Sequence, residues 1–498
     1  MIMRKIFRNN SKVTNGFYCN QRGVVSLFLC LLLAALIPVI FTVITAVRFS
    51  AMKVQVECVS DMAMDSVLAE YNQVLLQRYN LLFVDMAYSE DYGSPDNTAG
   101  HLLNYMEYNL GPTDEILNYG TSDLFGLTVD SVDITRVSRA TDNGGEVFRY
   151  MAISYMLEHY GYSYVESADD MITQAVSANL MDRDINEDLT SGRTELENID
   201  YDNEEDSGSD YEEITIDDPT LSMNEITGDG ILSLVYKGDV SETATDISIC
   251  VSKRDLVTGD GVDPSWNDYN DILDDLLFNE YIMLSCGTFA TPRENSLLNY
   301  QTEYVISGEN SDKENLKSIV MKILVMRYGA NMITYLSSPV LMSECAGLAS
   351  TLTVLFPPAQ PVVEALLSTA WVYGESIHDL KVILNKGKIP LIKSYSQWAL
   401  GIEDVIFSFA DVMSANSTDC SSYNEGLSYN DFLRILLYLT PSEDKTKRCM
   451  DIVEMDVRHI TGRNSFMLDN CAASFEMQAI IVSSYGYEFL VKKNFGYR

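Results

Sequence analysis

Residues 24–47 read VVSLFLCLLLAALIPVIFTVITAV, 24 consecutive positions without a charge. At about 1.5 Å of rise per residue, such a run spans roughly 36 Å as a helix, against about 30 Å for the hydrocarbon core of a bilayer. A signal-peptide core is shorter, typically about 7–15 residues, so cleavage near Ser50 and Ala51 is the weaker reading. Arg4, Lys5, Arg8, Lys12 and Arg22 precede the run, with no Asp or Glu among residues 1–22. The positive-inside rule therefore predicts a cytoplasmic N-terminus, a single crossing, and a large C-terminal part outside. Pro38 removes one backbone hydrogen bond in mid-span, which membrane helices tolerate when neighbours satisfy the freed carbonyl.

Beyond the run the character of the chain inverts. Residues 49–498 hold 28 basic against 72 acidic residues, a net of −44. That charge excludes nucleic acid as a partner and is repelled by anionic surfaces, while it attracts divalent cations or a basic protein. Seven cysteines lie beyond the span: Cys58, Cys250, Cys286, Cys345, Cys420, Cys449 and Cys471. They form no CxxC pair, which excludes a zinc knuckle or a thioredoxin-like site. One bridge among Cys420, Cys449 and Cys471 and a set of free buried thiols are equally compatible with this spacing.

Helical periodicity continues past the span through Val56, Val59, Ala63, Val67, Val74 and Leu81, which predicts one rod over residues 22–85. The segments that follow are a basic cytoplasmic piece (1–22), a transmembrane helix (23–48), a helical stem (49–86), a first α+β part (87–180), an acidic disordered loop (181–229) and a helical and α+β remainder (230–498). The loop prediction rests on 16 acidic residues between positions 182 and 218 and few large apolar ones. Short strands are expected at 127–136, 231–237, 246–251 and 300–306, and helices at 101–109, 146–179, 269–278, 429–438 and 447–459. Ser311 and Glu314 have capping-box spacing. Pro357, Pro358 and Pro361 break the uncharged stretch 346–363 into a buried helical hairpin, and residues 473–483 and 488–495 alternate as a terminal β-hairpin. The fold class is thus α+β: a long N-terminal transmembrane and stem helix, then a mostly helical extracytoplasmic region with short antiparallel strands.

No catalytic residue and no cofactor site is nominated. HExxH, GxSxG and phosphate-loop motifs are absent, and His101, His159, His378 and His459 are far apart in sequence. Glu375, His378 and Asp379 share one helical face and are the metal candidates, although a di-iron bundle needs a second ExxH and further carboxylates. Calcium is weighed at 200–206 (DYDNEED) and 259–271 (GDGVDPSWNDYND), and both read better as a solvated loop and a turn, since neither has EF-hand spacing. Ala34, Ala35 and Thr42 are small residues suited to close helix packing in lipid.

The stretch 22–71, RGVVSLFLCLLLAALIPVIFTVITAVRFSAMKVQVECVSDMAMDSVLAEY, resembles the N-terminus of TadE/TadG-like minor pseudopilins of tight-adherence pili. That resemblance implies a processing site between Gly23 and Val24. Mature pilins carry a glutamate where this chain has Phe28, and the departure favours an intact anchor over a processed subunit. The stretches MDSVLAEYNQVLLQRYNLLFVD (64–85), SDKENLKSIVMKILVMRYGAN (311–331) and AWVYGESIHDLKVILNKGKIPLIKS (370–394) are similar to a clostridial family of large single-pass surface proteins that accompany such pilus genes. The resemblance implies a non-enzymatic surface protein of a Gram-positive cell, bound to lipid through residues 24–47 and partnered by pilin-like or pilus-assembly proteins. Two other classes stay open: an envelope sensor with a ligand-binding ectodomain, and a metal-dependent envelope hydrolase.

Overall fold

A computed structural model describes residues 21–90, 92–111, 125–180, 230–263, 266, 272–354, 357–403, 423 and 425–497. The basic segment 1–20, the acidic stretch 181–229 with its DYDNEED motif, and Cys420 lie outside the described residues. The fold is α+β. Its described part divides into two units, one formed by residues up to 65 with 102–132 and 478–492, the other by 66–101, 133–477 and 493–498.

Helix α1, Gln21–Leu68, is continuous through Pro38. Its first half buries nothing: every residue from Val25 to Val47 is exposed. Its second half carries a stripe at Met52, Val56, Val59, Ser60 and Ala63, each at most 2 % exposed, at the three- and four-residue steps of one helical face. Within the same unit Phe49 stacks on Phe489 at 5.6 Å and meets Tyr487 edge-on at 5.4 Å. The Ser483 hydroxyl reaches the Met52 sulfur at 3.3 Å.

The predicted rod over 22–85 stops earlier. After Leu68 the chain turns, and Asn72 caps a new helix α2, Gln73–Tyr79, its Oδ1 accepting from the amides of Val74 and Leu75 at 3.0 and 3.2 Å. Asn80 closes α2 in the left-handed region at φ 55°. Asparagine is suited to both positions, because its short amide competes with the helix for backbone partners and tolerates positive φ. The apolar period bridges the break and hides it. Strand β1, Val84–Asp85, follows, and then α3, Pro95–Leu110.

A small sheet is centred on β3, Cys471–Ser483. It pairs antiparallel with β1 (Val84 opposite Ala472), with β2, Leu127–Arg139, and with β4, Glu488–Gly496. The terminal hairpin is the predicted one. It closes where the Ser483 amide donates to the Tyr487 carbonyl at 2.8 Å and Gly486 takes φ 80°.

The larger unit is mainly helical: α4 Glu146–His159, α5 Glu166–Ser177, α6 Ile231–Val235, α7 Ile272–Ser285, α8 Gln301–Ser307, α9 Asp312–Ser337, α10 Pro339–Leu352, α11 Gln360–Leu384, α12 Tyr429–Leu439 and α13 Ser442–Thr461. Helix α11 packs between α9 and α10, α4 lies on α7, and α8 joins α9 to α13. The hairpin predicted around the proline cluster is α10–α11, with a 3₁₀ turn at Pro357–Ala359. The single helix expected over 146–179 is broken at Gly161, whose φ is 68°.

Three expected strands are helical. Residues 231–237 contain α6, where Ile231, Leu232 and Val235 are buried at helical spacing. Residues 300–306 form α8, buried from Gln301 to Ile306 and closed by Gly308 at φ 72°. Residues 246–251 hold a 3₁₀ turn, Ile247–Ile249, started by Asp246 accepting from the Ser248 amide at 2.9 Å. Segments of six or seven residues fit either period, and at α8 full burial of polar and apolar residues alike removes the alternation that would distinguish them. At α9 the Ser311 hydroxyl accepts from the Glu314 amide at 3.3 Å, but the Glu314 carboxylate meets that hydroxyl, at 3.1 Å, in place of the Ser311 amide. Among the described residues Cys30, Cys58, Cys250, Cys286, Cys345, Cys449 and Cys471 are free thiols, so Cys449 and Cys471 do not bridge each other. Burial pushes the Cys250 thiol up to about 12 and Cys345 to about 11, which makes both poor nucleophiles at neutral pH.

Candidate functional site

The sequence singled out Glu375, His378 and Asp379, and α11 brings their ligand atoms within 4.8 Å of one another. Two cations have converged on the same place. Arg327, on α9, sits at 3.0 and 2.8 Å from Asp379 Oδ2 through Nε and Nη2. Lys393, in the segment after α11, lies 2.5 Å from Asp379 Oδ1 and also pairs with Glu375 Oε1. All four charged side chains are fully buried.

The remaining valences are filled by neighbours. Asn331 donates to Asp379 Oδ2 at 2.9 Å and to the Ser376 hydroxyl at 3.1 Å, and accepts from Arg327. Arg327 Nη1 donates to the carbonyls of Pro390 and Leu391 at 2.9 and 2.7 Å. Glu375 accepts from the amides of Ala399 and Leu400, both at 3.0 Å at closest approach. Burial by itself would raise the Asp379 carboxyl, but the charges of Arg327 and Lys393 override it and hold the group well below the usual carboxylate range. Burial likewise lowers Lys393, and the two carboxylates more than restore it.

The cluster is therefore a neutral set of two carboxylates and two cations, with an ammonium in the position a metal ion would take. A divalent ion would have to displace Lys393, leaving a buried, unpaired ammonium at a cost of several kcal/mol. Among the described residues the carboxylates of Glu375 and Asp379 have no exposed surface. What it does is bind the segment carrying Pro390, Lys393 and Leu400 to α9 and α11. The Thr334 hydroxyl donating to the Lys393 carbonyl at 3.1 Å and Trp371 Nε1 donating to the Leu400 carbonyl at 2.8 Å support the same seam.

Arg327 and Lys393 are the members that sequence reasoning missed. Arg327 interrupts the buried face of α9 among Ile323, Leu324 and Ala330, and a cation on an otherwise apolar stripe is the local signal of a buried partner. Lys393 carries no such signal.

Of the calcium candidate 259–271, the first five positions and Trp266 are among the described residues. Gly259 and Gly261 donate their amides to Asp142, at 2.5 and 3.0 Å, and Asp260 Oδ2 accepts from the Val137 amide at 2.8 Å. A Cβ at Gly259 would stand 2.4 Å from the Val137 carbonyl, so glycine is required. Asp260 and Asp142 are thus committed to fastening this loop to the end of β2, and Asp263 accepts from Asn494 at 2.5 Å.

The histidines remain dispersed. His101 approaches Glu70 at 3.0 Å and stacks on Tyr88, and His159 Nδ1 lies 3.0 Å from the Tyr155 carbonyl. Among the buried carboxylates outside the cluster, Glu303 on α8 differs from the rest. Oε1 accepts from the Phe289 amide and the Tyr429 hydroxyl, both at 2.8 Å, whereas Oε2 has no partner among the described residues. Burial pushes this carboxyl up to about 7.

On α1, Gly23 and Val24 lie inside the helix, two and three positions from its first residue. Ala34 and Ala35 are exposed, and the Thr42 hydroxyl donates to the Pro38 carbonyl at 2.8 Å, satisfying itself within the helix. Among the described residues this is the one helix long and apolar enough to cross a membrane. A family model described as "Family of unknown function (DUF5702)" matches residues 209–483, more than half of the chain and all of the buried charge cluster. Nothing among curated proteins or solved structures matches it.

Proposed function

The chain belongs to the DUF5702 family, whose function is unassigned, and from that premise we propose that it is a membrane-anchored, extracytoplasmic structural protein. Its place would be the assembly of tight-adherence pili, or adhesion, at the surface of a Gram-positive cell. The observation that carries the reading is the division of α1. Fifteen large apolar side chains between Val25 and Val47 are exposed, which supports a non-aqueous surrounding. At about 1.5 kcal/mol or more each, leaving them in water would cost on the order of 20 kcal/mol. The second half of the same helix buries Met52, Val56, Val59, Ser60 and Ala63 within its own unit, so one helix carries both an uncovered apolar stretch and a packed one.

Orientation follows from charge, with the basic leader inside and the acidic body outside. Ala34, Ala35 and Thr42 offer a small-residue face on which another pilin-like helix can pack, an association that in lipid rests on close contact. The role is architectural, and the resemblance of residues 22–71 to minor pseudopilins supplies the class of partner.

The test has two parts. A photo-crosslinking residue placed at position 34 or 35 in native cells is expected to capture a pilin-like or pilus-assembly membrane protein. Deletion of the gene is expected to remove surface pili or pilus-dependent attachment. Unchanged pili and attachment in the deletion strain, or digestion of the acidic body only after the cytoplasm is opened, would refute the proposal.

A further inference from the structure

In a chain of net charge −38, a concave site of about 570 Å³ is lined, among the described residues, by basic and neutral side chains and by no carboxylate. Three distant pieces of the larger unit build it: α2 supplies Val74, Gln77 and Arg78, the segment after α7 supplies Arg293 and Asn295, and the last turn of α13 supplies His459 and Ile460.

Both guanidinium groups are held from behind. Arg78 Nε lies 3.1 Å from the buried Asp456 carboxylate, and its Nη2 donates to the Glu294 carbonyl at 2.9 Å and to the Ser296 hydroxyl at 2.5 Å. Arg293 donates from Nη2 to the Arg78 carbonyl at 2.5 Å and from Nη1 to the Ser285 carbonyl, and its guanidinium stands 5.3 Å from the centre of the Tyr79 ring. These contacts fix the two planes before any ligand arrives, which lowers the ordering cost of binding. They also leave donors over: Arg78 Nη1 and Arg293 Nε make no hydrogen bond among the described residues. The side-chain amides of Gln77 and Asn295 and the ring of His459 make none either. Asn295 is presented from the left-handed region, at φ 54°.

The chemistry of the wall selects a ligand class. Asp456 offsets one of the two guanidinium charges, so the site matches a single negative charge better than a double one. Guanidinium N–H groups are suited to carboxylate oxygens. The amides of Gln77 and Asn295 can answer the N–H and C=O of a peptide group, and Val74 and Ile460 give an aliphatic wall. The volume lies within the roughly 300–1,000 Å³ of small-molecule sites. Repulsion from the acidic surface does not forbid this, because at physiological ionic strength charges beyond about 8 Å are largely screened. We propose that this pocket binds a small carboxylate ligand of the size of an N-acylated amino acid or dipeptide, gripped at its free carboxylate.

The test uses the full chain in detergent micelles, titrated calorimetrically with N-acetyl-leucine, with N-acetyl-leucinamide and with inorganic phosphate. Saturable one-site binding of N-acetyl-leucine is expected, with the amide and phosphate at least about tenfold weaker. Gln77→Glu and His459→Glu, both at exposed positions, are each expected to weaken it at least about tenfold by bringing a negative charge to the site, with the thermal melt unchanged. Failure of N-acetyl-leucine to saturate by about 10 mM, equal binding of the amide, tighter binding of phosphate, or unaltered affinity in both variants would each overturn the assignment.

Discussion

Between Val25 and Val47 helix α1 carries no charge and leaves every residue exposed, whereas α11 carries Glu375, Asp379 and Lys381 and buries them. The two stretches invert the usual relation between polarity and position. A helix that is apolar all round and uncovered by its own protein needs a non-aqueous surrounding. The carboxylates that α11 keeps at zero exposure are paired with cations delivered from elsewhere in the chain, Arg327 and Lys393. What the contrast teaches is that an apolar run of membrane length is diagnosed by what surrounds it. Of the described residues in the uncharged stretch 346–363, Ala349, Thr353 and Ala359 are buried, and the two helices it joins pack on each other and on α9, whereas nothing is buried between Val25 and Val47.

The strongest way to break this comparison is to charge the exposed half. Replacing Leu31, Leu32 and Leu33 by lysine places three charges near mid-span, at about 3 kcal/mol each, or about 9 kcal/mol together. Loss of the protein from the sodium-carbonate-resistant membrane fraction is expected. Full retention would show that residues 24–47 are not the anchor.

Next in size is the buried cluster. Lys393→Met or Asp379→Asn leaves the opposite charge buried and underpaired, and each is expected to cost about 3–5 kcal/mol, read as a lower urea midpoint in detergent. Removing Arg327 and Asp379 together with apolar replacements should cost less than the two single changes summed, because no orphan charge remains. Additive losses would mean that the pair is not coupled.

Glu303 sharpens the comparison further, as a buried carboxyl without a cation beside it. Its folded value of about 7 lies above the ordinary 4.5, so its contribution is fully present below about pH 4.5 and is lost as pH rises through 7. The shift corresponds to about 3 kcal/mol. In Glu303→Gln the stability difference between pH 5 and pH 8 should shrink by about that amount, measured by urea unfolding at the two pH values, and an unchanged difference would place the titrating group elsewhere. The smallest effect is expected at the end of the rod. Asn72→Ala removes the cap of α2 and should cost about 1 kcal/mol in the same unfolding assay, while a change within error would mean that α2 does not depend on it.

The long apolar helix was legible from an uncharged run of membrane length, and the terminal hairpin, β2 and most long helices because each keeps its period along the whole element. Residues 231–237 and 300–306 were not, since segments of seven residues are too short to separate the two periods and α8 buries its polar Gln301, Thr302 and Glu303 along with its apolar residues. The break at Leu68 was concealed by an apolar stripe that resumes in phase at Val74 and Leu75, although Asn72 and Asn80 were its chemical markers. Of the candidate site, the sequence placed Glu375, His378 and Asp379 on one face correctly but offered no view of what stood opposite. Arg327 is 52 positions from Asp379, and Arg78 is more than 200 from Arg293.

The sequence alone determined that this chain has one segment fit for a bilayer, a basic leader before it and an acidic body after it. Those properties are sums over neighbouring residues, and transfer energies add along the chain. Only the tertiary structure decided that the metal-like trio is closed by Lys393 and Arg327, and that Arg78, Arg293 and His459 meet in one pocket. Pairing of charges depends on distances of a few ångströms between residues far apart in sequence, and no local pattern encodes that.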